Sequence, residues 1–449
     1  MLLKSIPKVD RFITNIAFEG LAKSLITKIS KEKISNLREN ILQNKILSFD
    51  ENLLIKDVID EYKNITSSSL KPLINATGII VHTNLGRSLL HKETLEKAFN
   101  IATSYNNLEY DLQKGQRGER YEHITKSLKE LLDCEDALVV NNNASAVFLI
   151  LNTFCKNKEV VVSRGELVEI GGSFRVPEVM NQSGAILKEI GTTNKTHLRD
   201  YENAICEKTS MLMKVHKSNY EIVGFSSEVK FEDISNLAKQ HNLIDYYDMG
   251  SGHIDELPYG LGKNEPSIKE LMKQNPSLLS FSGDKLLGSV QAGIIIGKKE
   301  LISKIKKNQL LRMLRVDKIT LALLEESINL YLKNELDKIP TLKMLNTSIE
   351  MLENRAKKVQ KSLENILKTE VLNTNTLVGG GTTPNRKIPT VALSLEFKDF
   401  KANKIEKILR DTLIISRIEN DKVLLDFRTI LEEDLEKLEN ILKEIFKNG

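Results

Sequence analysis

Ser277-Leu278-Leu279-Ser280-Phe281-Ser282-Gly283-Asp284-Lys285-Leu286-Leu287-Gly288 is the stretch on which the fold of this chain turns. A strand-like apolar run (Leu278, Leu279, Phe281) stops at Ser282-Gly283, and Lys285 follows almost at once. A second apolar strand, Ala292-Gly293-Ile294-Ile295-Ile296, comes directly after it. Lysine is rarely buried unless it is paired or chemically used, and a lysine between two core strands is poorly placed as surface charge. The chemistry that wants it is a Schiff base with a carbonyl, most often that of pyridoxal phosphate. Ser282 is then placed to bond the cofactor phosphate. A hairpin tip with a solvated lysine fits this segment equally well.

A second segment favours the cofactor. Leu243-Ile244-Asp245-Tyr246-Tyr247-Asp248-Met249-Gly250-Ser251-Gly252 reads as a strand entering a glycine turn. Asp248 then sits at the strand's carboxyl end, where open α/β sheets keep their ligands. A carboxylate there pairs with the protonated pyridine nitrogen and makes the ring an electron sink. A lone Asp before a glycine turn is ordinary turn chemistry. Followed by Ser-x-x-Lys at another strand end, it is far more specific.

Asp136-Ala137-Leu138-Val139-Val140 is also strand-like, and Asn141-Asn142-Asn143-Ala144-Ser145 leads from it into an apolar run from Ala146 to Phe154. A polar turn entering a helix is an anion site, because the first amide groups are unpaired and face the ligand. Asn143, Ala144 and Ser145 are therefore candidate cofactor contacts, against the plain alternative of an asparagine N-cap.

The chain has 449 residues, 41% hydrophobic and 28% charged, which describes a soluble globular protein of two or three domains. No apolar stretch approaches the roughly 18 to 20 residues of a membrane helix, and Met1 to Pro7 lacks a secretory signal's apolar segment. Three widely spaced cysteines, Cys134, Cys155 and Cys206, fit a reducing cytoplasm and offer no disulfide framework. The seven histidines show no metal spacing, so no metal is expected. Net charge is only +4. Up to Leu47, however, nine basic residues stand against four acids, an excess of five.

Three regions are expected: a helical domain at 1–66, an α/β core at 67–335 and a small α+β domain at 336–449. The first shows helical spacing at Phe12, Ile16, Leu21, Ile26, Ile29 and Leu37. Its phenylalanines Phe12, Phe18 and Phe49 are isolated and give no aromatic stacking platform. In the core, strands at 137–141, 159–163, 185–190, 211–216, 243–248, 278–282 and 292–296 alternate with helices, which predicts a mostly parallel sheet. The third has strands near 390–397, 412–418 and 422–428, a last helix near 431–447, and a flexible loop marked by Gly379-Gly380-Gly381 and Pro384.

Longer motifs resemble a known family. Ile74-Asn75-Ala76-Thr77-Gly78-Ile79-Ile80-Val81-His82-Thr83-Asn84-Leu85-Gly86-Arg87 is similar to the bacterial selenocysteine synthases, the L-seryl-tRNA(Sec) selenium transferases. So are Gly115-Gln116-Arg117-Gly118-Glu119-Arg120, Ser163-Arg164-Gly165-Glu166, Lys214-Val215-His216-Lys217-Ser218-Asn219-Tyr220, and Phe281 through Gly288. Leu314-Arg315-Val316-Asp317-Lys318 and Val423-Leu424-Leu425-Asp426 match as well, and Pro7-Lys8-Val9-Asp10-Arg11 fits the family's opening. Two departures stand out: Ser416 replaces a usual glycine, and Gly288-Ser289-Val290 replaces Gly-Gly-Pro.

The resemblance implies an aspartate aminotransferase-like (fold type I) pyridoxal phosphate enzyme, assembled from dimers into a homodecamer in the cytoplasm. It implies conversion of seryl-tRNA(Sec) to selenocysteinyl-tRNA(Sec) through a dehydroalanyl intermediate, with selenophosphate as donor. Lys285 and Asp248 would be catalytic, and His216 would join Ser282, Asn143, Ala144 and Ser145 around the cofactor. Arg87, Arg312 and Arg315 would bind the selenophosphate anion. Arg312 and Arg315, three apart, share a face if their segment is helical. The N-terminal domain would grip the tRNA. The rival expectation is a β-eliminating lyase acting on a small amino acid or amino sugar phosphate. Such relatives usually lack the helical N-terminal domain.

Overall fold

The computed structural model of the chain describes residues 2–167, 169–170, 174–217, 220–262, 265–383, 386–396 and 400–446. Ser218, Asn219 and Pro384, and the expected strand and helix ends at 397 and 447, lie outside the described residues. The chain forms two compact units, Met1–Leu73 and Ile74–Gly449.

The first unit is helical. Its long elements are α1 (Lys23–Leu42) and α2 (Glu51–Thr66). Ile26, Ile29, Ile34, Leu37 and Ile41 recur at helical spacing and bury one stripe of α1 against Leu54, Ile55 and Val58 of α2. Asp50 caps α2 by accepting from the Asn52 amide at 2.8 Å. Phe12 and Phe18 are not isolated: their rings pack at 5.4 Å inside this core. Residues six apart look unrelated on a single helix, but a turn between two short helical segments brings them together. Lys23, Lys28, Lys31 and Arg38 stay exposed on α1.

The second unit holds two sheets. The larger comprises β2 (Asp136–Val140), β3 (Glu159–Ser163), β4 (Ile186–Ile190), β5 (Thr209–Val215), β6 (Ile244–Gly250), β7 (Leu278–Ser282) and β8 (Gly293–Gly297). β1 (Ile74–Ala76) belongs to the other sheet. The strand order of the larger sheet is β2-β8-β7-β6-β5-β3-β4. Only β8 runs against its neighbours. β2, β7 and β8 are buried along their whole length, which explains their near-continuous apolar sequence: helices cover both faces. The expected strand pattern is the observed one, with ends shifted by a residue or two.

The smaller sheet has order β1-β11-β12-β10-β9, with β9 (Lys368–Leu377), β10 (Lys387–Glu396), β11 (Ile414–Glu419) and β12 (Lys422–Asp426). β1 lies far upstream of its sheet partners and pairs in parallel with β11, Ala76 opposite Ser416. A three-residue strand is too short to show periodicity, so its membership is invisible in sequence. Arg428, fully buried, ties this sheet to the helix Pro340–Asn346 by donating to the carbonyls of Met344, Leu345 and Thr347. No described helix is long and apolar enough to cross a membrane.

Candidate active site

Asp248 lies near the carboxyl end of β6, in register with Val215 of β5 and Ser280 of β7. Just past it the ladder slips by one residue, so Gly250 faces Phe281. Two donors fall on Asp248 Oδ1: Asn143 Nδ2 at 2.7 Å and the Gly250 amide at 3.1 Å. Among the described residues no hydrogen bond falls on Oδ2. Burial drives the carboxyl pKa above its ordinary value, opposed by these donors and by the charges of Lys285 and His216. A buried carboxylate with one oxygen fixed and the other unengaged suits a cationic partner such as a pyridinium.

Asn143 opens α3 (Asn143–Phe154). The cap is supplied by Asn142, whose side chain accepts from the Ser145 amide at 2.8 Å, so the side chain of Asn143 is free to reach Asp248. The plain capping role therefore belongs to Asn142. Gly293 of β8 makes this possible, because a side chain there would run into the Asn142 carbonyl. The buried Asn143 Oδ1 has no hydrogen-bond partner, and Ala144 and Ser145 follow at the helix start beside it.

Lys285 is 8% exposed, in the turn after β7. Burial lowers its pKa from the usual 10.5, and the neighbouring Arg87 charge lowers it further. The loop that carries it is held firmly. Ser88 Oγ donates to the Lys285 carbonyl at 2.6 Å, the Gly288 amide to the same oxygen at 3.0 Å, and Tyr331 OH to the Leu287 carbonyl at 2.8 Å. Ser289, one of the two departures, donates to Ser327 Oγ at 2.8 Å and so anchors the loop by a side-chain bond. Among the described residues Lys285 Nζ has neither hydrogen bond nor ion pair. Ser282 ends β7 opposite Gly293, 6% exposed.

His216 follows β5, and its amide donates to the Asp248 carbonyl at 2.9 Å. Its Nε2 stands 3.1 Å from Glu265 Oε2, and Glu265 Oε1 accepts from Ser251 Oγ at 3.1 Å. Beside this relay opens a cavity of about 740 Å³, bordered by His216, Glu265, Tyr247, Lys214 and Thr383. Lys214 is spent on structure, paired with buried Glu166 at 3.1 Å.

The three arginines occupy different settings. Arg87 Nη1 pairs with Asp284 Oδ2 at 2.7 Å, immediately beside Lys285. Arg312 is exposed on the short helix Leu311–Leu314. Arg315 does not share its face: the helix ends at Leu314, Arg315 is extended, and it reaches Glu109 at 3.6 Å. The Leu314 carbonyl accepts from the Asn141 amide at 2.9 Å, which seats that helix against the asparagine turn. Asp284, Glu265 and Ser88 were not singled out in the sequence. Asp284 alone had a signal, its adjacency to Lys285. The described residues contain no group of three or more potential metal ligands.

A sequence profile described as L-seryl-tRNA selenium transferase matches residues 73–431. The chain is 76% identical over 447 residues to the L-seryl-tRNA(Sec) selenium transferase of Aliarcobacter butzleri, covering 100% of this chain and 99% of that protein. It is 63% identical to the enzyme of the same name from Sulfurimonas denitrificans, over 99% of both chains. Among solved structures it resembles D-glucosaminate-6-phosphate ammonia-lyase, with TM-score 0.62 and 18% identity, over 86% of this chain and 98% of that one. That likeness concerns the fold, and the α/β fold type I expected from the sequence is the one observed. With a profile match across most of its length and end-to-end relatives at such identity, the chain belongs to the L-seryl-tRNA selenium transferase family.

Proposed function

We propose that the protein converts seryl-tRNA(Sec) to selenocysteinyl-tRNA(Sec) with selenophosphate as selenium donor and pyridoxal phosphate as cofactor. The observation that carries the reading is the presence of two buried ionisable groups that influence each other electrostatically without forming an ion pair. One is Asp248, with one oxygen fixed by Asn143 and the other unengaged; the other is Lys285, whose Nζ has no partner among the described residues. These residues fit the cofactor. Lys285 would hold its aldehyde carbon, Asp248 its ring nitrogen, and Ser282 with the Asn143–Ser145 turn its phosphate, with His216 beside the ring. When bound, the cofactor supplies an electron sink for the α-carbon.

The rest of the chemistry belongs to the protein. Burial and the Arg87 charge lower the pKa of Lys285, which increases its neutral fraction and its ability to take the α-proton of the seryl group. Asp248 would keep the cofactor's ring nitrogen protonated. The proton gained by Lys285 is available to the departing β-hydroxyl, which leaves as water; the selenium of selenophosphate then bonds to the β-carbon as the α-carbon regains a proton, and hydrolysis of the P–Se bond releases phosphate. Arg87, Arg312 and Arg315 supply guanidinium groups for the anionic donor. The exposed basic residues of α1 support a tRNA-binding role for the helical unit. Assembly as a decamer and a cytoplasmic site of action complete the proposal.

The direct experiment incubates the purified protein with seryl-tRNA(Sec) and selenophosphate and identifies the amino acid on the tRNA. Selenocysteine is expected. Release of pyruvate or ammonia from a free amino acid, with seryl-tRNA(Sec) untouched, would instead mark a lyase.

A further inference from the structure

Gly379-Gly380-Gly381 is not the flexible loop its composition suggests. The Val81 amide donates to the Val378 carbonyl at 2.8 Å, and Val81 bridges to Gly379 in parallel. Thr382 Oγ1 closes the turn on the Gly379 carbonyl at 2.6 Å, and Thr382 is fully buried. A side chain at 379 would run into the Val81 carbonyl, so the segment is clamped at its start. At its end, Gly381 has φ +76°, and a Cβ there would lie 2.9 Å from Lys285 Nζ and 3.1 Å from its Cε. The backbone of the C-terminal region is thus one wall of the space that the lysine amine occupies. Thr383, two residues on, is 4% exposed, has an unpartnered Oγ1 and borders the cavity beside His216.

We propose that Gly381 is a positioning residue for Lys285: its missing side chain leaves the volume through which the amine moves between the cofactor and the α-proton of the substrate. The proposal rests on Lys285 as the cofactor lysine. A methyl group at 381 would press the amine away from that path, and displacement of a reacting atom by about 1 Å is worth up to about 100-fold in rate. The neighbouring Gly380 serves as comparison, because its Cβ would meet only Thr83 Oγ1, at 2.9 Å.

The test has two arms. In the first, cofactor is stripped and its recapture is followed by absorbance in the wild type, Gly380→Ala and Gly381→Ala. Gly381→Ala is expected to slow capture by about 10- to 100-fold, with Gly380→Ala near the wild-type rate. Wild-type capture by Gly381→Ala would overturn the proposal. The second arm separates the lysine contact from backbone strain at positive φ. Thermal midpoints are compared for Gly381→Ala with Lys285 present and in a Lys285→Ala background, a double-mutant cycle that needs no cofactor. A penalty that largely disappears when Lys285 is shortened supports the contact, as does a variant that folds only in that background. An equal penalty in both backgrounds, or failure to fold in both, assigns the defect to the backbone and overturns the proposal. Borohydride fixation to the wild-type protein reports separately on Lys285 itself, so the two readings fail independently.

Discussion

Asn143 Nδ2 donates to Asp248 Oδ1 at 2.7 Å, joining the first residue of α3 to the end of β6 across 105 positions of sequence. The bond, with that of the Gly250 amide to the same oxygen, fixes the rotation of a carboxylate buried to 4% exposure. A buried carboxylate in one orientation is preorganised, and preorganised charge is worth far more than charge that must reorient.

Lys285 should be the residue that carries the cofactor. Purified protein should be yellow, and borohydride reduction followed by peptide mapping should place the pyridoxyl group on Lys285. A label on Lys214, buried in β5, would sink the assignment.

Asp248→Ala should keep the cofactor on Lys285 yet slow α-proton exchange by roughly 100- to 1000-fold, the scale of one lost electrostatic contact. Asn143→Ala, which frees the carboxylate to rotate, should give a smaller loss in the same direction. Exchange measured by mass spectrometry in deuterated water decides the point. A normal rate in Asp248→Ala would mean that another group serves the ring nitrogen.

Arg87→Gln should move the reactivity of Lys285 toward alkaline pH. The guanidinium disfavours the ammonium form, so its removal lets the lysine pKa rise back toward 10.5. The neutral fraction at pH 7 to 8 then falls and cofactor capture slows there, with recovery at higher pH. An unshifted pH profile would show that Arg87 acts only through its bond to Asp284.

A protein beginning at Lys71 should retain its yellow colour, because every proposed cofactor residue lies in the Ile74–Gly449 unit. It should lose measurable binding to seryl-tRNA(Sec), and binding by the full chain should weaken steeply with salt as phosphate counterions are released. Recognition is expected to rest on the shape and phosphates of the tRNA, because the narrow major groove of A-form RNA is poorly read by side chains. Full affinity after truncation would make the exposed lysines of α1 ordinary surface charge.

The sequence by itself determined the local pieces. Apolar runs of about five residues set the strands, because a strand covered on both faces is predominantly apolar. Helical spacing set α1, and a lysine and an aspartate at strand ends marked the chemistry, because such positions are where α/β sheets bind ligands. Tertiary structure alone decided which of these pieces meet. Asn143 meets Asp248 because β2 and β6 lie in one sheet, and Glu265 reaches His216 from a loop without motif character. The same holds for β1 in the distant sheet, for Phe12 against Phe18, for Arg315 leaving its helix toward Glu109, and for Gly381 against Lys285. Local propensity depends on neighbours a few residues away, whereas these contacts depend on sheet order and chain crossings that no short window of sequence contains.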